Sequence, residues 1–163
     1  MATKQLWLLR HGEAVPHESK TDFDRELTAR GERQSVAAGE ALARLGLEFA
    51  ACYTSPLLRA ARTAALACEK LNVTPQERAD LGKGFDLDTA NRLLGEHADG
   101  ERILVVGHNP PFAQVVLAMT GAHIDFKKGG VAAVRVSGGH AELLALLRPR
   151  ELESLALSPL PGD

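Results

Sequence analysis

The chain has 163 residues, 45% hydrophobic and 25% charged, which suits one domain with a sizeable core and excludes a disordered or fibrous protein. Nineteen basic against 21 acidic residues give a net charge of -2, no overall cationic footprint for nucleic acid, so any basic site must be local. Two cysteines outside any CxxC pattern do not make a disulfide or zinc framework, and no apolar run has the length to cross a bilayer. Met-Ala-Thr-Lys-Gln leads into the first strand without an apolar leader, so the expected setting is the reducing cytoplasm, with no membrane partner.

Leu6-Trp7-Leu8-Leu9 reads as a buried strand that ends in Arg10-His11-Gly12-Glu13. A guanidinium and an imidazole thereby stand at the carboxyl edge of a strand, where open α/β sheets bind ligands. Ala14 to Glu26 is a polar loop bordering that edge, and Thr28 offers an N-cap for an alanine-rich helix through about Leu45, ended by Gly46. Ala51 to Thr54 is a second strand. Ser55 as N-cap and Pro56 at the first helical position predict a helix to about Leu71, with Arg59 near its positive end.

Val73 to Arg78 holds a short edge strand interrupted by Pro75, Asp80 to Asp88 is a loop, and Asp88 or Thr89 caps a helix running toward His97. Arg102 to Val106 forms a third clear strand, with Gly107-His108-Asn109-Pro110 at its carboxyl end. Phe112 to Thr120 reads as a helix apolar on most faces, hence deeply buried, and Gly121 stops it. Val131 to Val136 and Glu142 to Leu147 bracket the hairpin signature Ser137-Gly138-Gly139-His140. Pro149 ends the regular fold and Glu151 to Leu157 can form a short helix.

This order predicts an α/β fold: a three-layer α/β/α sandwich with a mostly parallel sheet and a C-terminal antiparallel hairpin. Residues 1–150 make a single domain and 151–163 a short tail. Arg10, His11, Arg59 and His108 then converge on one crevice. Two arginines and two histidines suit a tetrahedral oxyanion, because arginine offers planar bidentate donors to phosphate and stays charged. A neutral imidazole is a nucleophile for phosphoryl transfer when its other nitrogen donates to a fixed acceptor. His17, His97, His123 and His140 scatter over loops and turns and read as ordinary solvated histidines, and Lys127-Lys128-Gly129-Gly130 reads first as a solvated loop, with contact to an anionic substrate as its alternative.

Leu9-Arg10-His11-Gly12-Glu13, Ser55-Pro56-Leu57-Leu58-Arg59-Ala60-Ala61-Arg62-Thr63-Ala64 and Val106-Gly107-His108-Asn109-Pro110 together resemble the histidine phosphatase, or phosphoglycerate mutase-like, superfamily. The short length and Asp24-Arg25-Glu26-Leu27-Thr28 are most similar to its SixA-type phosphohistidine phosphatases. The resemblance implies a metal-independent, cofactor-free phosphatase with His11 as the nucleophile, Arg10 and Arg59 on the phosphoryl oxygens, and His108 donating to those oxygens. It further implies substrate-lining roles for Arg25 and Asn109. Many family members carry a glutamate as general acid between the second helix and third strand; here Asp80 is the candidate, among Glu77, Asp86 and Asp88. The missing glutamate pattern favours a P–N bond, whose protonated imidazole leaves readily. The expected substrate is phosphohistidine in a partner protein, with a small phosphomonoester as the alternative within enzymes and a non-catalytic phosphate-binding module as the alternative outside them.

Overall fold

The first strand, β1 (Lys4–Arg10), explains the layering, because successive side chains of a strand point to opposite faces. Leu6 and Leu8 enter one apolar cluster while Trp7 and Leu9 enter another, so both faces of the strand are covered. Residues 2–18 and 20–157 are described in this computed structural model; the end of the expected tail, 158–163, lies outside them. Five further strands, β2 (Ala51–Thr54), β3 (Pro75–Glu77), β4 (Arg102–Gly107), β5 (Val131–Ser137) and β6 (His140–Leu147), complete one sheet in the order β3-β2-β4-β1-β5-β6. Strands β3, β2, β4 and β1 run parallel; β5 pairs antiparallel with β1, and β6 antiparallel with β5. The sheet is thus mostly parallel with an antiparallel hairpin at one side, as expected.

Helices α1 (Ala29–Arg44), α2 (Leu58–Cys68) and α5 (Pro149–Leu157) cover one face. On the other lie α3 (Leu87–Gly95) and α4 (Pro111–Thr120). Small residues let α1 and α2 come close: a Cβ on Gly39 would stand 2.3 Å from the Ala67 carbonyl oxygen. Residues 151–157 are tied down, since Leu152 of α5 is fully buried and the helix packs along α1. Fully burying a leucine of this kind contributes about 2 kcal/mol.

Several boundaries differ from the sequence reading. Thr28 caps α1 as expected, its hydroxyl accepting from the Gly31 N–H. Helix α2, however, starts at Leu58, so Ser55 and Pro56 precede it, and it ends at Cys68 rather than near Leu71. Asp86, not Asp88 or Thr89, caps α3, accepting from the Thr89 N–H at 2.9 Å. Helix α4 buries Phe112, Val115 and Val116 while Leu117 stays exposed, because it covers the sheet with one face only. His97 is no solvated histidine: its Nε2 meets the Tyr53 hydroxyl at 2.7 Å. Among the described residues no helix is long and apolar enough to cross a membrane.

Candidate active site

The three central parallel strands, β2, β4 and β1, deliver the polar groups at their carboxyl ends. His11 follows β1, His108 follows β4, and Arg59 sits in the first turn of the helix after β2. Backbone bonds continue the ladder past the strands: His11 N–H donates to Gly107 O at 3.0 Å and Ser55 N–H to Val106 O at 3.0 Å. The result is a cavity of about 820 Å³ walled by Arg10, His11, Arg25, Arg59, His108 and Asn109, the four expected catalytic groups and both expected rim residues together.

The His11 ring is held in one orientation by its own loop. Its Nδ1 lies 2.7 Å from the Gly12 carbonyl oxygen, which can only accept, so Nδ1 carries the proton. Burial, against which the Gly12 bond acts, and the neighbouring His108, Arg59 and Arg10 charges hold the imidazole down at about 3. The ring is therefore neutral near pH 7, with its Nε2 lone pair available. The His108 ring centre is 5.2 Å away, and burial, followed by Arg59 and Lys83, brings its pKa down to about 4.

Each arginine is anchored by one arm. Arg10 Nη1 donates to Phe126 O at 2.5 Å and Arg59 Nη1 to Asp22 O at 2.7 Å. The Nε groups of both, and Nδ1 of His108, are buried without a partner among the described residues. Buried donors are normally satisfied. All three belong to side chains that line the same cavity, and the cationic arginines there suit an anion.

Asp80, the expected acid, is not among the residues lining this cavity. It lies in the 3-10 turn Ala79–Leu81, its carboxylate 3.3 Å from the Arg78 guanidinium. The carboxylate at the wall is Asp22, which sequence reading left inside an undifferentiated loop. Lys83 Nζ lies 2.5 Å from its Oδ2, while Arg25 and Arg59 stand 3.2 and 3.5 Å from Oδ1. The Lys83 bond, with Arg59 and Arg25 behind it, holds the Asp22 carboxyl at about 2, so it stays ionised. Lys83, His17 and Lys128 also line the wall; His17 comes from the loop expected to border it, and Lys128 from a segment read first as solvated. Arg25 is fixed by Val15 O at 3.0 Å, and the Asn109 side-chain oxygen is taken by the Ala113 N–H at 3.1 Å, leaving its amide group for the cavity.

A sheet with helices on both faces carries an Arg-His/Arg/His crevice at its carboxyl edge, the arrangement expected for the histidine phosphatases. The family model for the histidine phosphatase superfamily (branch 1) matches residues 6–82, and the chain belongs to that superfamily. Its fold is that of the SixA-type phosphatases within it. The structure of the protein histidine phosphatase SixA complexed with tungstate superposes with a TM-score of 0.81 at 23% identity, covering 91% of this chain and 99% of that one. An uncharacterized protein of the cyanobacterium Picosynechococcus is 34% identical over 139 residues, 80% of this chain and 84% of the other. Over 80 residues, 49% of this chain, it is 32% identical to the mitochondrial serine/threonine-protein phosphatase PGAM5 of Xenopus tropicalis, of which it spans 28%.

Proposed function

We propose that this phosphatase removes the phosphoryl group from phosphohistidine in a partner protein through a covalent intermediate on His11. The observation that carries the reading is the state of Asp22. An alkyl phosphate needs a proton for its leaving oxygen, and an ionised carboxylate tied to Lys83 and Arg59 does not supply one. A phosphohistidine brings its own proton on the imidazole ring.

In the first step the His11 Nε2 lone pair forms a bond to phosphorus as the substrate P–N bond breaks, its electron pair leaving with the protonated ring as neutral imidazole. Arg10 and Arg59 hold two phosphoryl oxygens and His108 donates to one through Nδ1, compensating the charge in flight. Water then attacks phosphorus, the bond to His11 Nε2 breaks, and inorganic phosphate leaves with the water's proton. The name of the SixA relative supports this substrate. The free, buried thiols of Cys52 and Cys68 agree with a reducing, cytoplasmic setting.

A second reading, a small phosphomonoester or a phosphorylated serine or threonine, is favoured by His17, an exposed imidazole at the cavity wall whose Nδ1 lies 3.6 Å from Asp22 Oδ1. A paired assay of wild type and His11→Ala decides between them, on a phosphohistidine-bearing protein and on an aryl phosphate. Release from phosphohistidine that depends on His11 is expected. Release from the aryl ester alone moves the substrate to phosphomonoesters, and phosphate binding without any turnover leaves a non-catalytic module.

A further inference from the structure

Ser55 has the sequence signature of a helix cap and does not serve as one. Helix α2 begins three residues later, with Leu57 at the capping position and no side-chain cap bond. The Ser55 hydroxyl, fully buried, instead lies 2.8 Å from Nε2 of His108, and it accepts the Leu57 N–H at 3.2 Å. Those are its two recorded partners.

The direction of the first bond follows from the second. The Leu57 amide takes one lone pair of Oγ, and among the described residues the acceptor that meets the hydroxyl proton is the unprotonated nitrogen of a neutral imidazole. Nε2 therefore accepts and the ring proton resides on Nδ1. Nδ1 is the buried atom of His108 without a partner. We propose that Ser55 is a positioning residue that selects the Nδ1–H tautomer of His108 and so turns the ring into a hydrogen-bond donor toward the phosphoryl oxygens.

The alternative tautomer would place the proton on Nε2, against Ser55, and present a lone pair on Nδ1 to an anion. That arrangement repels the ligand it should stabilise. The backbone fixes the pair before any ligand arrives, since Ser55 N–H bonds Val106 O in the rung of the sheet two residues short of His108. The local sequence serves this: Pro56 cannot continue the ladder, which delays the start of α2 and leaves the Ser55 side chain turned to β4 rather than to its own helix.

The role of His108 in turnover rests on the proposed phosphatase reading; the tautomer does not, and the test separates them. Nitrogen-15 NMR of the His108 ring in the ligand-free enzyme at neutral pH, assigned by loss of the signals in His108→Gln, should show a protonated Nδ1 and an unprotonated Nε2. In Ser55→Ala the proton should redistribute toward Nε2, kcat should fall roughly 10- to 100-fold, as for other partners that orient an imidazole, and KM should change by less than about threefold. Ser55→Thr, which keeps the hydroxyl, should restore the wild-type tautomer and most of kcat. A protonated Nε2 in the wild-type enzyme overturns the inference, as does Ser55→Ala with unchanged tautomer and kcat. A protonated Nδ1 in an enzyme inert toward phosphohistidine upholds the inference and removes the substrate reading instead.

Discussion

Replacing Gly31 by alanine puts a methyl group where the nucleophile's loop runs against helix α1. Its Cβ would stand 2.0 Å from the carbonyl oxygen of Glu13 and 2.9 Å from both its carbonyl carbon and its nitrogen, all main chain that cannot rotate away. A carbon and an oxygen settle at about 3.3 Å or more. The loop and the helix must therefore part by roughly 1.3 Å, two residues from His11. The Gly12 N–H bond to the Thr63 hydroxyl of α2, already 3.2 Å long, holds the same loop on its other side and would open as the loop moves. A displacement near 1 Å at a reacting group costs on the order of 100-fold in rate, and overpacking of this kind costs about 1–3 kcal/mol in stability. The expected result is a kcat/KM for phosphohistidine release lowered about 100-fold, with a urea midpoint shifted down. Gly95→Ala is the control, because a Cβ there meets nothing within 4 Å. Gly31→Ala with activity within threefold of wild type and an unmoved midpoint would refute the reasoning.

Four further outcomes follow from the same geometry. His11→Ala should abolish turnover while the circular-dichroism spectrum and cooperative unfolding persist, since the strand and its ladder remain. Thr63→Val removes the acceptor of the Gly12 N–H and should cost about 1–3 kcal/mol by urea titration, with a parallel loss of kcat. His11 at about 3 and His108 at about 4 both sit below the ordinary 6.5, so the unfolded chain binds more protons than the native one between those values. Stability should accordingly fall as pH drops from 6.5 toward 4, by up to about 2.7 kcal/mol per pH unit for the two together, and His11→Gln/His108→Gln should flatten that slope. Chelators should leave kcat unchanged, because on the proposed mechanism Arg10, Arg59 and His108 supply the charge compensation; activity lost to chelator and restored by zinc would contradict this.

The regular part of the site was legible because its residues stand at strand ends. Arg10 and His11 close an apolar run, His108 closes another, and Arg59 falls in the first turn after a third, so periodicity alone carries them to one edge. Asp22 and Lys83 were not legible, since they sit on irregular connections whose path carries no periodic signal, and only the folded loop shows that the two meet. Asp80 went astray for the related reason that a short 3-10 turn aims it at Arg78, itself bonded to Glu96 at 2.9 Å. Ser55 was misread because Ser-Pro before an apolar segment is the pattern of a helix start. Its hydroxyl had a better partner far along the chain, which local sequence rules do not see.

The sheet order has a consequence for how the enzyme comes into being. His11, Arg59 and His108 hang from three strands that neighbour one another only after two long crossover connections have closed, β1 meeting β4 and β4 meeting β2. Parallel pairing of this sort has high contact order and forms late. Before β4 slots between its neighbours, His11 lacks the Gly107 carbonyl that holds its backbone and Ser55 lacks the Val106 rung. A chain in which β4 has not yet inserted thus lacks the assembled crevice, and His11, Arg59 and His108 come together as one event, with the insertion of the central strand.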